Sequence, residues 1–390
     1  MLTRLQIVML LLAFAIPAQA QWAPGVRPLM ESTSSKATHL ANPAVATFWG
    51  GFRRFRFFTH NDGGIEKFKS SLFKAGEFPI YFSQKPFRAQ LFVFMPGIYG
   101  QPGKGLTAQF VDFLEKIPGH VLVVPNLLGP DYVEAHPLYK TDPVALEVQV
   151  MEEALDYVIR KIGDRVSRVE IIAESLGTAV GSAWAAHDSA HQKRISGLTL
   201  LWPPLNLPVA MKNFDAIINE YRPAAEKCST PFKLYVLARE FALKYYPARL
   251  SKDEEDCMSA LVLVDGFVKA TKVSWRSHVK ATKATGPEPE GFEEYFRRYR
   301  SELWELLEKK DERLTLTHWM KQIRQAHTMK VRIMTSENDF LNRGLNWNTF
   351  KSEHQLTSDE LIILPWGGHS GAVSVAEFYR VLEMTFSEAN

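Results

Sequence analysis

Short apolar runs recur between residues 78 and 202 and again between 330 and 364, and segments with helical spacing separate many of them. Apolar runs of roughly four to eight residues that are rich in β-branched and aromatic side chains are typical of buried strands. Seven such runs lie at 78–82, 89–94, 120–125, 169–173, 195–202, 330–335 and 361–364. This alternation of strands with helices predicts an α/β protein with a mostly parallel sheet.

An aromatic and basic run, Phe52–Phe58, completes a set of eight predicted strands. Its apolar and basic residues partly alternate, which favours a first strand. The alternative interpretation is a segment that contacts a membrane or a partner surface.

Two helices of the sheet region have clear boundaries in the sequence. Asp142 and Pro143 suit a helix start, because an Asp side chain caps free amides and Pro fits the first turn. Val144–Ile162 follows with apolar residues three or four positions apart, and a last amphipathic helix is expected over Val373–Phe386. We expect both helices to pack on the sheet.

Residues 206–329 depart from the rhythm of strand and helix. Apolar side chains repeat at helical spacing over Phe232–Tyr246 and again over Phe292–Leu307, and the run 286–291 (GPEPEG) predicts a loop between helices. Core packing is the simplest explanation of such stripes. The segment therefore predicts a helical insertion into a core made of 51–205 and 330–390.

The first twenty residues are typical of a signal peptide. Arg4 gives a basic start, an apolar run spans Ile7–Ile16, and Ala18-Gln19-Ala20 provides the small residues that precede a cleavage site. An uncleaved anchor is less favoured, because a membrane span needs about twenty apolar residues. We expect an exported protein, periplasmic or secreted, in which residues 21–50 form an extended lead-in.

The composition is that of a globular protein with no preference for nucleic acid. Among 390 residues, 46% are hydrophobic and 23% charged, and the net charge is only +3 without a basic arm. Cys228 and Cys257 are the only cysteines. They can pair in an oxidising compartment or remain as buried thiols. The spacing of Cys and His residues suggests no metal site, and we expect no cofactor.

Residues 169–186, VEIIAESLGTAVGSAWAA, place Ser175 where a predicted strand turns directly into a helix. The residues two before and two after it, Ala173 and Gly177, are small, as a strained turn between strand and helix requires. This A-x-S-x-G resembles the nucleophile elbow of the α/β-hydrolase fold, with Ala173 where glycine is more common. A serine between small residues also occurs as a helix cap, so these five residues do not decide the matter alone.

The loop Met95–Gly100 (MPGIYG) follows the predicted strand at 89–94 and is similar to the family's oxyanion loop. The resemblance implies that the backbone N–H of Ile98, just after Gly97, would stabilise an oxygen that gains negative charge. The N–H of Leu176, directly after the serine, would be the second donor.

The loop that follows the strand at 330–335 reads Ser336-Glu-Asn-Asp339. Asp339 matches the position of the family's catalytic acid, and Glu337 is the reserve candidate. A loop Asp taken alone more often caps a turn.

The last strand leads into 365–371 (PWGGHSG), which resembles the family's histidine loop. Gly368 would support the turn, and His369 would act as the base. The order Ser175, Asp339, His369 is that of α/β-hydrolases.

The resemblance therefore implies a mostly parallel, eight-stranded α/β-hydrolase sheet with helices on both faces and a helical cap inserted after the sixth strand. It also implies a serine hydrolase that cleaves a carboxylic ester with an apolar acyl or lipid group through an acyl-enzyme. A peptidase, an acyltransferase and an exported binding protein without turnover are the alternatives. A small-molecule or lipid ester is the expected partner, peripheral membrane contact is a weaker expectation, and the oligomeric state is left open.

Overall fold

A computed structural model describes residues 22, 25–36, 42, 64–73, 76–103, 105–126, 129–135, 142–187, 191–232, 235, 250–326, 329–371 and 376–387. The strands are β1 (Ile65–Phe68), β2 (Phe78–Ser83), β3 (Ala89–Met95), β4 (Gly119–Val123), β5 (Val166–Glu174), β6 (Ile195–Leu201), β7 (Lys330–Ser336) and β8 (Leu361–Leu364).

The helices surround this sheet and fill the segment between β6 and β7. They are α1 (Val26–Lys36), α2 (Gly105–Leu114), α3 (Pro130–Ala135), α4 (Pro143–Ile162), α5 (Gly177–Ala186), α6 (Leu207–Lys227), α7 (Lys252–Ala260), α8 (Lys269–Thr282), α9 (Phe292–Tyr299), α10 (Ser301–Glu308), α11 (Leu316–Ala326), α12 (Trp347–Glu353) and α13 (Ala376–Ser387). A π-helical segment, Leu261–Val268, joins α7 to α8. Within the described part of the chain, no helix is both long and apolar enough to cross a membrane.

The eight strands form one sheet in the order β1-β2-β4-β3-β5-β6-β7-β8. Strand β2 runs antiparallel to both of its neighbours, and all the other pairs are parallel. This arrangement confirms the predicted α/β-hydrolase fold. The strand predicted at Phe52–Phe58 lies outside the described residues, and β1 occupies that edge of the sheet.

Both faces of the sheet are buried, which explains why apolar residues predominate in the central strands. In β3, Leu91 and Val93 face the core shared with α4, α5 and α11, whereas Phe92 and Phe94 face the core shared with α1, α2 and α13. The carboxyl ends of the parallel strands therefore meet along one edge, where their loops are free to form a site.

Helix α1 corrects the expectation of an extended segment over 21–50. Trp22, Val26 and Met30 recur every four residues and are buried in the core shared with α13. The N–H of Trp22 donates to the carbonyl of Asp359 at 2.9 Å, which attaches this segment beside β8. Pro, Ser, Thr and Glu residues separate the apolar positions, so the helical period is weak in the sequence.

Helix α4 begins where the sequence predicts. The Oδ1 atom of Asp142 accepts hydrogen bonds from the N–H groups of Val144 at 3.0 Å and Ala145 at 3.2 Å. Pro143 occupies the first turn, where it needs no intrahelical donor.

The segment between β6 and β7 forms a helical insertion whose two ends meet. Asn206 and Thr315 form an isolated β-bridge, and the N–H of Leu316 donates to the carbonyl of Leu205 at 3.0 Å. Helices α6 to α10 lie between these ends, and we call them the cap. Helix α11, which the sequence analysis includes in the insertion, packs instead on α5 because its apolar side chains belong to the core.

The single helix predicted over Phe292–Leu307 is interrupted at Arg300. This residue has φ −136° and ψ 53°, which separates α9 from α10. The break places Arg300 inside the cap beside Tyr295, with only 2% of its surface exposed. The apolar stripe over Phe292–Leu307 correctly identifies the buried side chains, but it gives no sign of the turn at Arg300. The segment Phe232–Tyr246 lies mostly outside the described residues.

A disulfide between Cys228 and Cys257 ties the end of α6 to α7, with the two Cα atoms 5.7 Å apart. Both cysteines are buried and pack with Met258. The bond therefore closes a loop within the cap.

Replacing both cysteines by serine should lower the free energy of unfolding by about 3 to 4 kcal/mol, because the cross-link restricts the unfolded chain. Chemical denaturation of the wild type and of the Cys228→Ser/Cys257→Ser variant measures the difference. Reducing agent should destabilise only the wild type. Equal stability of the variant and of the wild type without reducing agent would contradict the prediction.

Candidate active site

Four loops meet at the carboxyl edge of the sheet, and each contributes a residue singled out by the sequence. They follow β3, β5, β7 and β8, which are strands of the parallel part of the sheet. The structure brings Ser175, Asp339 and His369 together there, with Ile98 and Leu176 beside them.

Ser175 occupies the turn between β5 and α5 with φ at 54°, in the left-handed region that non-glycine residues rarely adopt. Such strain persists only where the surroundings enforce it. The N–H of Ser175 donates to the carbonyl of Leu201 at 2.9 Å, and its carbonyl accepts from the N–H of Thr178 at 3.0 Å. These bonds hold the serine backbone on both sides of the turn.

The small residues around Ser175 have a direct steric cause. A Cβ atom at Gly177 would collide with the carbonyl oxygens of Met95 and Pro96, the latter at 2.6 Å. A Cβ atom at Gly181, one turn later, would lie 2.9 Å from the methyl group of Ala173. The structure therefore accommodates Ala173 in place of glycine because another glycine faces it.

A chain of hydrogen bonds links the serine to the histidine and the aspartate. The Nε2 atom of His369 lies 2.6 Å from Ser175 Oγ. The Nδ1 atom lies 3.2 Å and 3.1 Å from the two carboxylate oxygens of Asp339. Gly368, at φ 53°, donates its N–H to the side chain of Asn338 at 2.8 Å, which fixes the histidine loop to the loop of the acid.

Of the two acidic candidates, only Asp339 reaches His369. Its carboxylate is buried and also accepts hydrogen bonds from the N–H of Leu341 at 3.0 Å and from Asn342 at 3.4 Å. Glu337 lies on the same loop and is exposed. The stated reserve candidate is therefore not part of this hydrogen-bond chain.

Glu174 is a polar residue of the site that the sequence analysis missed. It occupies the variable position directly before Ser175, and its carboxylate accepts hydrogen bonds from Gly97 N–H at 2.8 Å and Ser370 Oγ at 2.6 Å. A Cβ atom at Gly97 would lie 2.6 Å from Glu174 Oε2 and 2.8 Å from Ser175 Cβ. A glycine is therefore needed at position 97 of the loop that follows β3.

The cap contacts the oxyanion loop through Tyr99. This residue has φ at 57°, and its hydroxyl lies 3.1 Å from that of Thr271 on α8. Burial raises the pKa of Tyr99 well above its ordinary value. The phenol therefore stays neutral and keeps its proton for hydrogen bonding.

The cap also contacts the loop of the acid. Asn213 on α6 donates to the carbonyls of Leu341 at 3.1 Å and Arg343 at 2.9 Å. Asn342 accepts from the N–H of Leu205 at 2.8 Å, at the point where the chain enters the cap. These contacts between the cap and the loop leave no local sequence signal, because the residues that they join lie more than a hundred positions apart.

A cavity of about 570 Å³ lies between the cap and the carboxyl edge of the sheet. Ser175 and His369 line it together with many apolar side chains of the cap, and its described lining residues include no Lys or Arg. The apolar lining includes Leu207, Ala210, Met211, Phe214, Phe267, Phe292, Phe296 and Leu303. Within the described residues, no group of three or more His, Cys, Asp or Glu side chains is arranged to hold a metal ion.

No protein-family model and no curated protein sequence matches the chain. An esterase from Pyrococcus furiosus has a similar structure, with 11% identity, coverage of 85% of this chain and 94% of that one, and a TM-score of 0.46. A siderophore hydrolase from Aspergillus fumigatus is 12% identical over 84% of this chain and 98% of its own, at a TM-score of 0.43. A bacterial membrane phospholipase A is 12% identical over 99% of both chains, at a TM-score of 0.42. These identities are too low to transfer an activity.

Gly177→Ala should lower the free energy of unfolding by about 1 to 3 kcal/mol, since the added methyl group meets backbone atoms that must move. Gly266→Ala is the matched control, because among the described residues a Cβ atom there has one neighbour, the carbonyl oxygen of Leu261 at 3.5 Å. We expect the control to be neutral or slightly stabilising. Chemical denaturation compares the two, and a Gly177→Ala variant as stable as the control would be the contrary result.

Proposed function

We propose that the protein is a serine hydrolase that cleaves carboxylic esters with an apolar acyl group. The observation that carries the proposal is the 2.6 Å contact between Ser175 Oγ and His369 Nε2, continued from His369 Nδ1 to the buried carboxylate of Asp339. A hydroxyl is a weak nucleophile until an adjacent base takes its proton, and this arrangement supplies the base and the group that orients it.

In this mechanism, Ser175 Oγ attacks the ester carbonyl carbon while His369 Nε2 takes the hydroxyl proton. Asp339 accepts the hydrogen bond of His369 Nδ1–H and stabilises the imidazolium that forms. His369 then donates its proton to the alcohol oxygen, and the carbon–oxygen bond breaks to leave an acyl-enzyme. Water attacks the acyl-enzyme by the same steps, which release the acid and regenerate Ser175.

The backbone N–H groups of Ile98 and Leu176 stabilise the negative oxygen of the tetrahedral intermediate. Both residues line the cavity together with Ser175, which supports this role. Donors fixed before the reaction need no reorganisation when charge develops, and the loss of one such donor typically costs about 100-fold or more in kcat.

The cavity supports an apolar acyl group as the part of the substrate that the cap recognises. Its aromatic and aliphatic lining favours an apolar group, because binding removes the apolar surface of both from water. A volume of about 570 Å³ falls in the usual range for small-molecule sites. We further propose that the protein works in an oxidising compartment, as the Cys228–Cys257 disulfide and the signal-peptide pattern suggest.

A fluorophosphonate probe should label the wild type on one serine, and the label should be lost in Ser175→Ala. Ser352→Ala, which changes an exposed serine on α12, is the control and should be labelled like the wild type. Intact-mass spectrometry counts the label, and peptide mapping locates it. We expect the wild type and Ser352→Ala to hydrolyse p-nitrophenyl esters and Ser175→Ala to be inactive.

Folded wild type that neither reacts with the probe nor hydrolyses esters would favour the binding protein without turnover. Labelling with release of product only when an alcohol or an amine replaces water would point to acyl transfer. Cleavage of peptide amides in preference to esters would identify a peptidase.

The cavity predicts that kcat/KM rises with acyl length for p-nitrophenyl esters. The rise should be roughly two- to fourfold for each added methylene until the cavity is full, because burying a CH2 group contributes up to about 0.8 kcal/mol. Ala210→Trp, which fills the cavity, should remove this preference for long chains and leave the acetate ester less affected. Ala216→Trp changes an exposed position of the same helix and should keep it. A flat chain-length profile in the wild type would refute the assignment of the cavity.

A further inference from the structure

We propose that Glu174 is a positioning residue that holds the oxyanion loop and the histidine loop in register with the nucleophile. This inference rests on the proposed function, because it assigns a task within the same reaction. Glu174 has no place in the proton transfers described above, and its carboxylate acts through the two loops that it binds.

The carboxylate of Glu174 accepts one hydrogen bond from each of two different loops. Oε2 accepts from the backbone N–H of Gly97 at 2.8 Å, and Oε1 accepts from Ser370 Oγ at 2.6 Å. The side chain is only 6% exposed. Burying a carboxylate costs free energy unless its oxygens accept hydrogen bonds. Carboxylate oxygens act as acceptors, so the two donors, Gly97 N–H and the Ser370 hydroxyl, satisfy them.

Each of the two donors is adjacent to a group that takes part in the chemistry. Gly97 directly precedes Ile98, whose N–H faces the developing oxyanion in the proposed mechanism. Ser370 directly follows His369 and has a strained φ of 63°, so its conformation requires support. Since Glu174 is itself bonded through the main chain to Ser175, one side chain fixes donor, base and nucleophile relative to each other.

The fit around Gly97 leaves no freedom for this loop to move inward. A methyl group on Gly97 would overlap both the Glu174 carboxylate and the Cβ atom of Ser175. The loop therefore lies in van der Waals contact with the elbow, and the hydrogen bond prevents it from moving outward. Both restraints together set the distance between Ile98 N–H and Ser175 Oγ.

Three variants separate the hydrogen bonds from the charge. Glu174→Leu removes both acceptors at similar volume. Glu174→Gln removes the charge and keeps both contacts, because its oxygen accepts from Gly97 N–H while its amide donates to the Ser370 hydroxyl. Ser370→Ala removes one contact only. Glu337→Gln neutralises an exposed carboxylate near the site and is the control.

For a p-nitrophenyl ester, Glu174→Leu should lower kcat about 100-fold, comparable to the loss of an oxyanion donor, and change KM by less than about threefold. Glu174→Gln should retain activity within about tenfold of the wild type, and Ser370→Ala should fall between the two. A merely structural role would change the melting temperature in parallel with activity and would not separate kcat from KM.

Hydrogen–deuterium exchange gives a readout that does not depend on turnover. Peptides that cover 97–103 and 365–371 should exchange faster in Glu174→Leu and remain as slow as the wild type in Glu174→Gln.

The proposal is overturned if folded Glu174→Leu keeps kcat within threefold of the wild type, or if Glu174→Gln is as impaired as Glu174→Leu. If Glu174→Leu does not fold, unchanged kcat and unchanged exchange in Ser370→Ala overturn it. An inactive wild type would instead refute the proposed function, and the exchange data would still decide whether Glu174 holds the loops.

Discussion

The close approach of the Ser175 turn to the end of β3 is the constraint on which the rest of the site depends. The serine adopts a left-handed conformation, and α5 begins so near to Met95 and Pro96 that only a glycine fits at position 177. The two faces of the sheet are packed with side chains, so this geometry cannot relax by moving the strand. The buried core thus imposes the strain that exposes Ser175 Oγ to the cavity and to His369.

The cap extends this dependence from the sheet to the cavity beside Ser175. It touches the oxyanion loop through Tyr99 and Thr271, and the loop of the acid through Asn213. The same helices line the apolar cavity. Under the proposed function, residues that select the acyl group and residues that hold the loops of Ile98 and Asp339 therefore belong to one unit, and a substitution in the cap would affect both binding and the chemical step.

The sequence predicts those features whose cause is local. Buried strands produce apolar runs, and a nucleophile turn requires small neighbours, so the sheet and the positions of Ser175, Asp339 and His369 could be located from the pattern. The helix at Val26–Lys36 and the break at Arg300 could not be located in this way, because burial against distant elements determines both. Glu174 was missed for the same reason, since its partners lie 77 and 196 residues away in the chain.

A crystal structure of the wild type after reaction with a fluorophosphonate tests the central claim most directly, because the phosphonate resembles the tetrahedral intermediate. The account predicts a covalent bond from Ser175 Oγ to phosphorus and a phosphonyl oxygen within about 3 Å of the N–H groups of both Ile98 and Leu176. It also predicts that the alkyl chain lies in the cavity beneath the cap. A phosphonate attached elsewhere, or one whose oxygen contacts neither amide, would contradict it.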